Sequence, residues 1–185
     1  MKFSIENFIK KDRNFPKLNY RSIKKDYEEA RNVNIDSCKK CGGYCCKTCG
    51  CHFSPDDFKS VSYRYLKNKI KEGYISIVYV SEYSSTGTFI LRMRNYGAPI
   101  VDLRDSGFGG CIILTEKGCP LPYDKRPSGA KLLIPQKDYD PDQLTEPHCQ
   151  CNYTLEQCAY EWLPHKKTLY RLARYFRNRN ISPKI

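Results

Sequence analysis

Four cysteines fall within nine residues of this chain, Cys41, Cys45, Cys46 and Cys49, and that density constrains the fold more than any other feature. Thiols so crowded must pair, bind a metal or be packed away, and each choice dictates how the surrounding backbone runs. The chain holds eleven cysteines, an odd number that admits no complete internal pairing. Cys45 and Cys46 are adjacent, and neighbouring cysteines rarely bond to each other because the ring strains the peptide, whereas both can face a metal. Met1 to Asn7 show no apolar stretch or small-residue cleavage site, and no run of about 18 apolar residues occurs. The expectation is a cytoplasmic protein without a membrane partner, where reduced thiols point to metal binding or redox chemistry.

Thiolate centres need several sulfurs about 2.3 Å from one zinc, so ligands arrive on short hairpins that the fold brings together. Cys38 and Cys41 enclose two residues, Lys39 and Lys40, whose charges favour thiolates. Gly42 and Gly43 then let the backbone curl past the ligands before Cys45 and Cys46. Far along the chain, Cys111 and Cys119 flank a turn at Glu116-Lys117-Gly118, and Cys149, Cys151 and Cys158 form a third group. The expected metal ligands are Cys38, Cys41, Cys45, Cys46, Cys111, Cys119, Cys151 and Cys158. Eight would serve two tetrahedral zinc sites, or a four-iron cluster plus another centre. Cys51 ranks next, ahead of Cys49 and Cys149; His52 and His148, each beside a cysteine, are further candidates, and His165 is expected at the surface.

The stretch CKKCGGYCC, followed by CHFSPDDF, resembles the first block of the CxxCxxCC (YkgJ-type) family of zinc- or iron-chelating proteins. GGCIILTEKGCPLPYDKRP resembles that family's second block, with its cysteine, aliphatic run, second cysteine and Arg-Pro pair. The blocks occur in the family's order and cover roughly residues 36–58 and 109–127. The resemblance implies chelation of zinc or iron, and a similar motif in bacterial flagellin lysine methylases implies an iron–sulfur cluster. Two departures stand out. Three residues, Gly42-Gly43-Tyr44, separate Cys41 from the Cys-Cys pair where the family has two. No cysteine closely follows Arg126-Pro127, so that ligand would have to come from Cys151 or Cys158.

The remaining sequence predicts an α+β fold, a small antiparallel sheet with flanking helices organised around the cysteine metal cluster. A helix is expected over 20–32. Another is expected to start at Ser54-Pro55-Asp56-Asp57, run to about Lys71 and end at Gly73, with the two acids serving helix capping rather than acid–base chemistry. Tyr74 to Val80 and Thr88 to Arg94 read as a hairpin, and Ile100 to Leu103 as a third strand. Prolines at 120, 122, 127 and 135 predict an extended, irregular stretch. Thr154 and Gln157 form a capping-box pattern for a helix through Trp162, and Pro164 marks a break or the first turn of a second, to about Asn178. The expected organisation is a basic segment with a helix over 1–35, a cysteine domain over 36–163, and a basic helix over 164–185.

The formal charge of +12 is concentrated at the ends: residues 164–185 carry seven bases and no acid. The cysteine-bearing body is nearly neutral, and a four-thiolate site on a divalent centre carries about −2, so basicity alone does not argue for nucleic acid. A metal ion or cluster is the expected partner, with an acidic protein compatible with the basic C-terminal helix. Gly107-Phe108-Gly109-Gly110 lacks the Lys-Ser of a phosphate loop and reads as close packing beside the centre. Arg126 suits either an anion beside the centre or a salt bridge with Asp124. Two functions fit: a metal-binding or metal-handling protein with closed thiolate sites, and an iron–sulfur- or metal-dependent enzyme modifying a protein or small molecule.

Overall fold

The structure, a computed structural model, describes residues 46–47, 50–81, 87–103, 109–116, 118–135, 149–151 and 154–179. The helix expected over 20–32 and Cys38, Cys41, Cys45, Cys49 and His148 lie outside the described residues. The elements, in chain order, are β1 (His52–Phe53), α1 (Tyr63–Lys71), β2 (Ile75–Val80), β3 (Thr88–Met93), β4 (Val101–Asp102), α2 (Ser128–Lys131), β5 (Leu133–Pro135), β6 (Cys149–Cys151), α3 (Leu155–Trp162) and α4 (Lys166–Arg177). This is an α+β arrangement.

The β-branched and aromatic runs form β2 and β3, paired antiparallel from Ile75 with Met93 to Val80 with Thr88. Both strands are buried almost throughout, because helices cover the sheet. β1 adds antiparallel to the free edge of β3, His52 opposite Arg92 and Phe53 opposite Leu91. β4 lies on the far side of β2, giving the order β1-β3-β2-β4. The expected all-antiparallel sheet is corrected here: β4 runs parallel to β2, Ile77 beside Val101 and Val78 beside Asp102. The reason is the path. The chain leaves β3 at the end where β2 begins, turns past that end, and then runs alongside β2 in its own direction. A second sheet pairs β5 with β6, Leu133 opposite Cys151. It replaces part of the irregular stretch expected there; Pro135 sits at the strand's end, where β-structure tolerates it.

The helix expected from 54 to 71 is also corrected. Pro55–Asp57 is a single 3₁₀ turn with Ser54 as the expected cap, to which Asp57 adds a reciprocal capping box, and Phe58 then turns extended at φ −113° and ψ 139°. That conformation seats the Phe58 ring 5.2 Å from Phe53 and 6.0 Å from Trp162. Ser62 caps a fresh start at Tyr63, its Oγ accepting from Tyr65 N. The C-terminal stop holds: Gly73 has φ 88°.

Thr154 and Gln157 cap α3 reciprocally, as expected, and Pro164 falls in the 3₁₀ turn Leu163–His165 that leads into α4. Leu169, Leu172, Ala173 and Phe176 form the buried stripe of α4, which packs on α1 and across β2, β3 and β4. With Leu66, Ile70, Ile77, Ile90, Leu91 and Trp162 they make the core. No helix among the described residues is long and apolar enough to cross a membrane.

Candidate metal centre

The chain beyond β3 is where the cysteine blocks meet. After Met93 the backbone continues through Arg94, Asn95 and Tyr96, and this extension accepts the second block: Ile112 N donates to Arg94 O at 2.9 Å and Tyr96 N to Gly110 O at 2.9 Å. Asn95 and Cys111 stand opposite each other as an antiparallel bridge. The first block closes on the same place. Met93 N donates to Cys51 O at 2.9 Å, Gly50 N to Asn95 Oδ1 at 2.5 Å, and Cys111 N to Cys46 O at 2.7 Å. Two segments far apart in sequence thus share a direct main-chain hydrogen bond between cysteines.

Close approach explains the small residues here. A Cβ on Gly50 would collide with Met93 O, so only glycine lets this strand-edge contact form. A Cβ on Gly110 would stand 3.2 Å from Lys47 O and 3.4 Å from Cys46 O, in keeping with the packing role expected for this glycine run. Downstream, Gly129 of α2 lies against Cys51 and His52. Asp57 completes the join: its carboxylate accepts from Ser54 N (2.9 Å), Ser128 N (2.7 Å), Ser128 Oγ (2.9 Å) and Lys131 Nζ (3.1 Å). The acid expected to cap a helix therefore also ties the first block to the residues just after the second.

Cys119 returns to Cys111 by a tight turn. Thr115 and Gly118 exchange main-chain hydrogen bonds of 3.1 and 2.9 Å, and Gly118 takes φ 94°. Cys111 is buried at 6% exposure, while Cys46, Cys51 and Cys119 are half-buried. Burial pushes the Cys111 thiol up to about 11; the Ile113 N–H pulls the other way, the neighbouring Cys46 and Cys119 thiols add to the rise, and the Leu114 N–H opposes it. A cation among these sulfurs would reverse that balance.

The other expected ligands among the described residues are Cys151 and Cys158. Cys158 is fully buried in the apolar core; its Sγ donates to Phe53 O at 3.5 Å, an oxygen that also accepts from Trp162 Nε1 at 2.7 Å. Cys149 and Cys151 are placed by their main chain, in β6. His52 sits in β1, and His165, expected at the surface, is half-buried with its ring edge-on to Trp162 at 5.9 Å. Arg126 Nε donates to Leu121 O at 3.1 Å, and Asp124 pairs with Lys125 instead. Among the described residues, no group of three or more His, Cys, Asp or Glu side chains is disposed to hold a metal ion.

Sequence reasoning missed Arg94 and Asn95. Arg94 is 2% exposed, with Nε and Nη1 lacking hydrogen-bond partners among the described residues, and Asn95 Nδ2 is in the same condition. Burial lowers the Arg94 pKa. Donors left buried without acceptors cost about 1–3 kcal/mol each, more when charged. They sit on the segment that pairs with Cys111, and the Asn95 amide reaches Gly50 beside Cys51, where an anionic thiolate centre would supply an acceptor for its Nδ2. The signal was present in TFILRMRN, where two arginines interrupt an apolar strand at two-residue spacing. The other, Arg92, faces Asp102 at 3.8 Å with both nearly inaccessible.

No family model, curated protein or solved structure matches this chain.

Proposed function

We propose that this is a metal-binding protein that holds zinc or an iron–sulfur cluster through its clustered cysteines, in the manner of the CxxCxxCC family its two blocks resemble. The observation that carries the reading is the contact of the blocks: Cys46 and Cys111 joined by a 2.7 Å main-chain hydrogen bond, with Cys119 turned back beside them. Soft thiolates select zinc or iron–sulfur chemistry over hard cations. The buried Asn95 Nδ2, unpartnered among the described residues and carried on a side chain that reaches Gly50 of the first block, supports a negatively charged centre at the same place. Cys38, Cys41 and Cys45 would join from the first block by sequence proximity to Cys46. Closing loops this long by metal binding makes the ion part of the folding free energy.

The test is the metal-to-protein ratio of anaerobically purified protein, with its visible absorption. A whole-number ratio is expected, colourless for zinc and brown for iron–sulfur. Cys46→Ser and Cys111→Ser are expected to lose most of the metal. Wild-type content in a folded Cys111→Ser variant overturns the proposal.

A further inference from the structure

A second charged feature stands apart from the cysteines. Between the start of α1 and the last turns of α4 lies a pocket of about 350 Å³, lined by Tyr63, Arg171, Arg174, Tyr175, Asn178 and Arg179. No acid lines it. The ion pairs of the described residues run elsewhere, Lys69 to Glu72, Arg92 to Asp102, Lys125 to Asp124 and Lys131 to Asp57, and none reaches these three arginines.

The tyrosines hold the cations in place. The Arg171 guanidinium lies 4.6 Å from the Tyr63 ring centre, and Arg179 lies 4.7 Å from that of Tyr175, which Lys67 Nζ also approaches at 4.2 Å. Stacking of this kind fixes the plane of a guanidinium and leaves its N–H edges available. Tyr63 is also the first residue of α1, so the positive end of that helix adds to the field. The C-terminal dipole of α4 accounts for basic residues in its last turn, such as Arg174, but not for Arg171 a turn earlier. Several forked donors around one small space suit a ligand with at least three acceptor oxygens on one centre. A phosphate offers that, and a carboxylate has only two.

We propose that this pocket binds a small polyphosphate-bearing ligand, with Arg171, Arg174 and Arg179 as its phosphate contacts. The volume is at the small end of the range for ligand sites, which fits a diphosphate or triphosphate group. The site is independent of the metal centre.

The test is calorimetric titration of the full-length, metal-loaded protein with inorganic pyrophosphate and, separately, with ATP, at low ionic strength. Saturable binding at one site per chain is expected for pyrophosphate; a similar affinity for ATP assigns a free phosphate group as the element recognised, and a higher one assigns a nucleotide. Arg171→Gln combined with Arg174→Gln is expected to weaken binding at least about tenfold, since each forked, charge-assisted contact is worth that much. Metal content should not move, and the unfolding midpoint should fall only slightly, through loss of the exposed Arg171–Tyr63 stacking. The double lysine variant, which keeps the charge and the helix but loses the fork, is expected to recover only part of the affinity. Four outcomes would each overturn the proposal: no saturable binding, wild-type affinity in either double variant, tighter binding of an RNA oligonucleotide than of pyrophosphate, or tighter binding of a polyglutamate peptide.

Discussion

Replacing Asp57 by alanine should loosen the first cysteine block from the residues just after the second. The carboxylate is 7% exposed, and its two oxygens divide the work: Oδ2 accepts the main-chain N–H groups of Ser54 and Ser128, while Oδ1 accepts Ser128 Oγ and Lys131 Nζ. Alanine strands the two main-chain donors, at about 1–3 kcal/mol each, and loses the charged contact to Lys131, which is partly exposed and counts for less. The expected loss is about 3–4 kcal/mol of unfolding free energy, read by urea denaturation as a lower midpoint at constant slope. Asparagine separates the contributions. Its single oxygen can take the Oδ2 position and keep both main-chain donors, while its amide meets Lys131 unfavourably, so Asp57→Asn should cost only about 1–2 kcal/mol. Exposed Asp56 is the control, and Asp56→Asn should stay within about 0.5 kcal/mol. The reasoning is refuted if Asp57→Ala costs less than about 1 kcal/mol, or if asparagine is as damaging as alanine.

Further outcomes follow from the same geometry. Gly50→Ala, whose Cβ would strike Met93 O, should cost more than about 2 kcal/mol in denaturant titration and lower metal content, while Gly110→Ala, with contacts of 3.2 and 3.4 Å, should cost less than about 1 kcal/mol. Trp162→Phe removes the 2.7 Å bond to Phe53 O and should cost about 2 kcal/mol, seen as an earlier thermal midpoint. In metal-free protein, folding favours the neutral Cys111 thiol, raised from 9.0 to about 11. That contribution, about 2–3 kcal/mol, is complete below about pH 9 and is lost as pH rises through about 11, a decline that Cys111→Ala should flatten in pH-resolved denaturation.

Where a local signal decided the structure, the sequence could be read directly. The Thr154–Gln157 reciprocal cap, the stop at Gly73 and the β-branched runs of β2 and β3 each depend on neighbours a few residues away, and each appears where expected. What escaped reading was set by distant contacts. The break at Phe58 arises because its ring packs with Phe53 and Trp162, and Asp57 serves Ser128 as well as its own turn. β4 runs parallel because of the path from β3, and β6 finds β5 across a long intervening segment. In the site, the approach of Cys111 and Cys119 was legible from the turn between them. The core position of Cys158 was not, because a ligand and a buried apolar thiol share the same residue type. The unpartnered donors of Arg94 and Asn95 needed the fold to become visible.

X-ray absorption at the metal edge of the anaerobically purified protein tests the thiolate centre most directly. The account predicts an inner shell dominated by sulfur at about 2.3 Å, and its loss in Cys111→Ser. A shell of oxygen and nitrogen alone, or protein that takes up neither zinc nor iron when both are supplied, would contradict it.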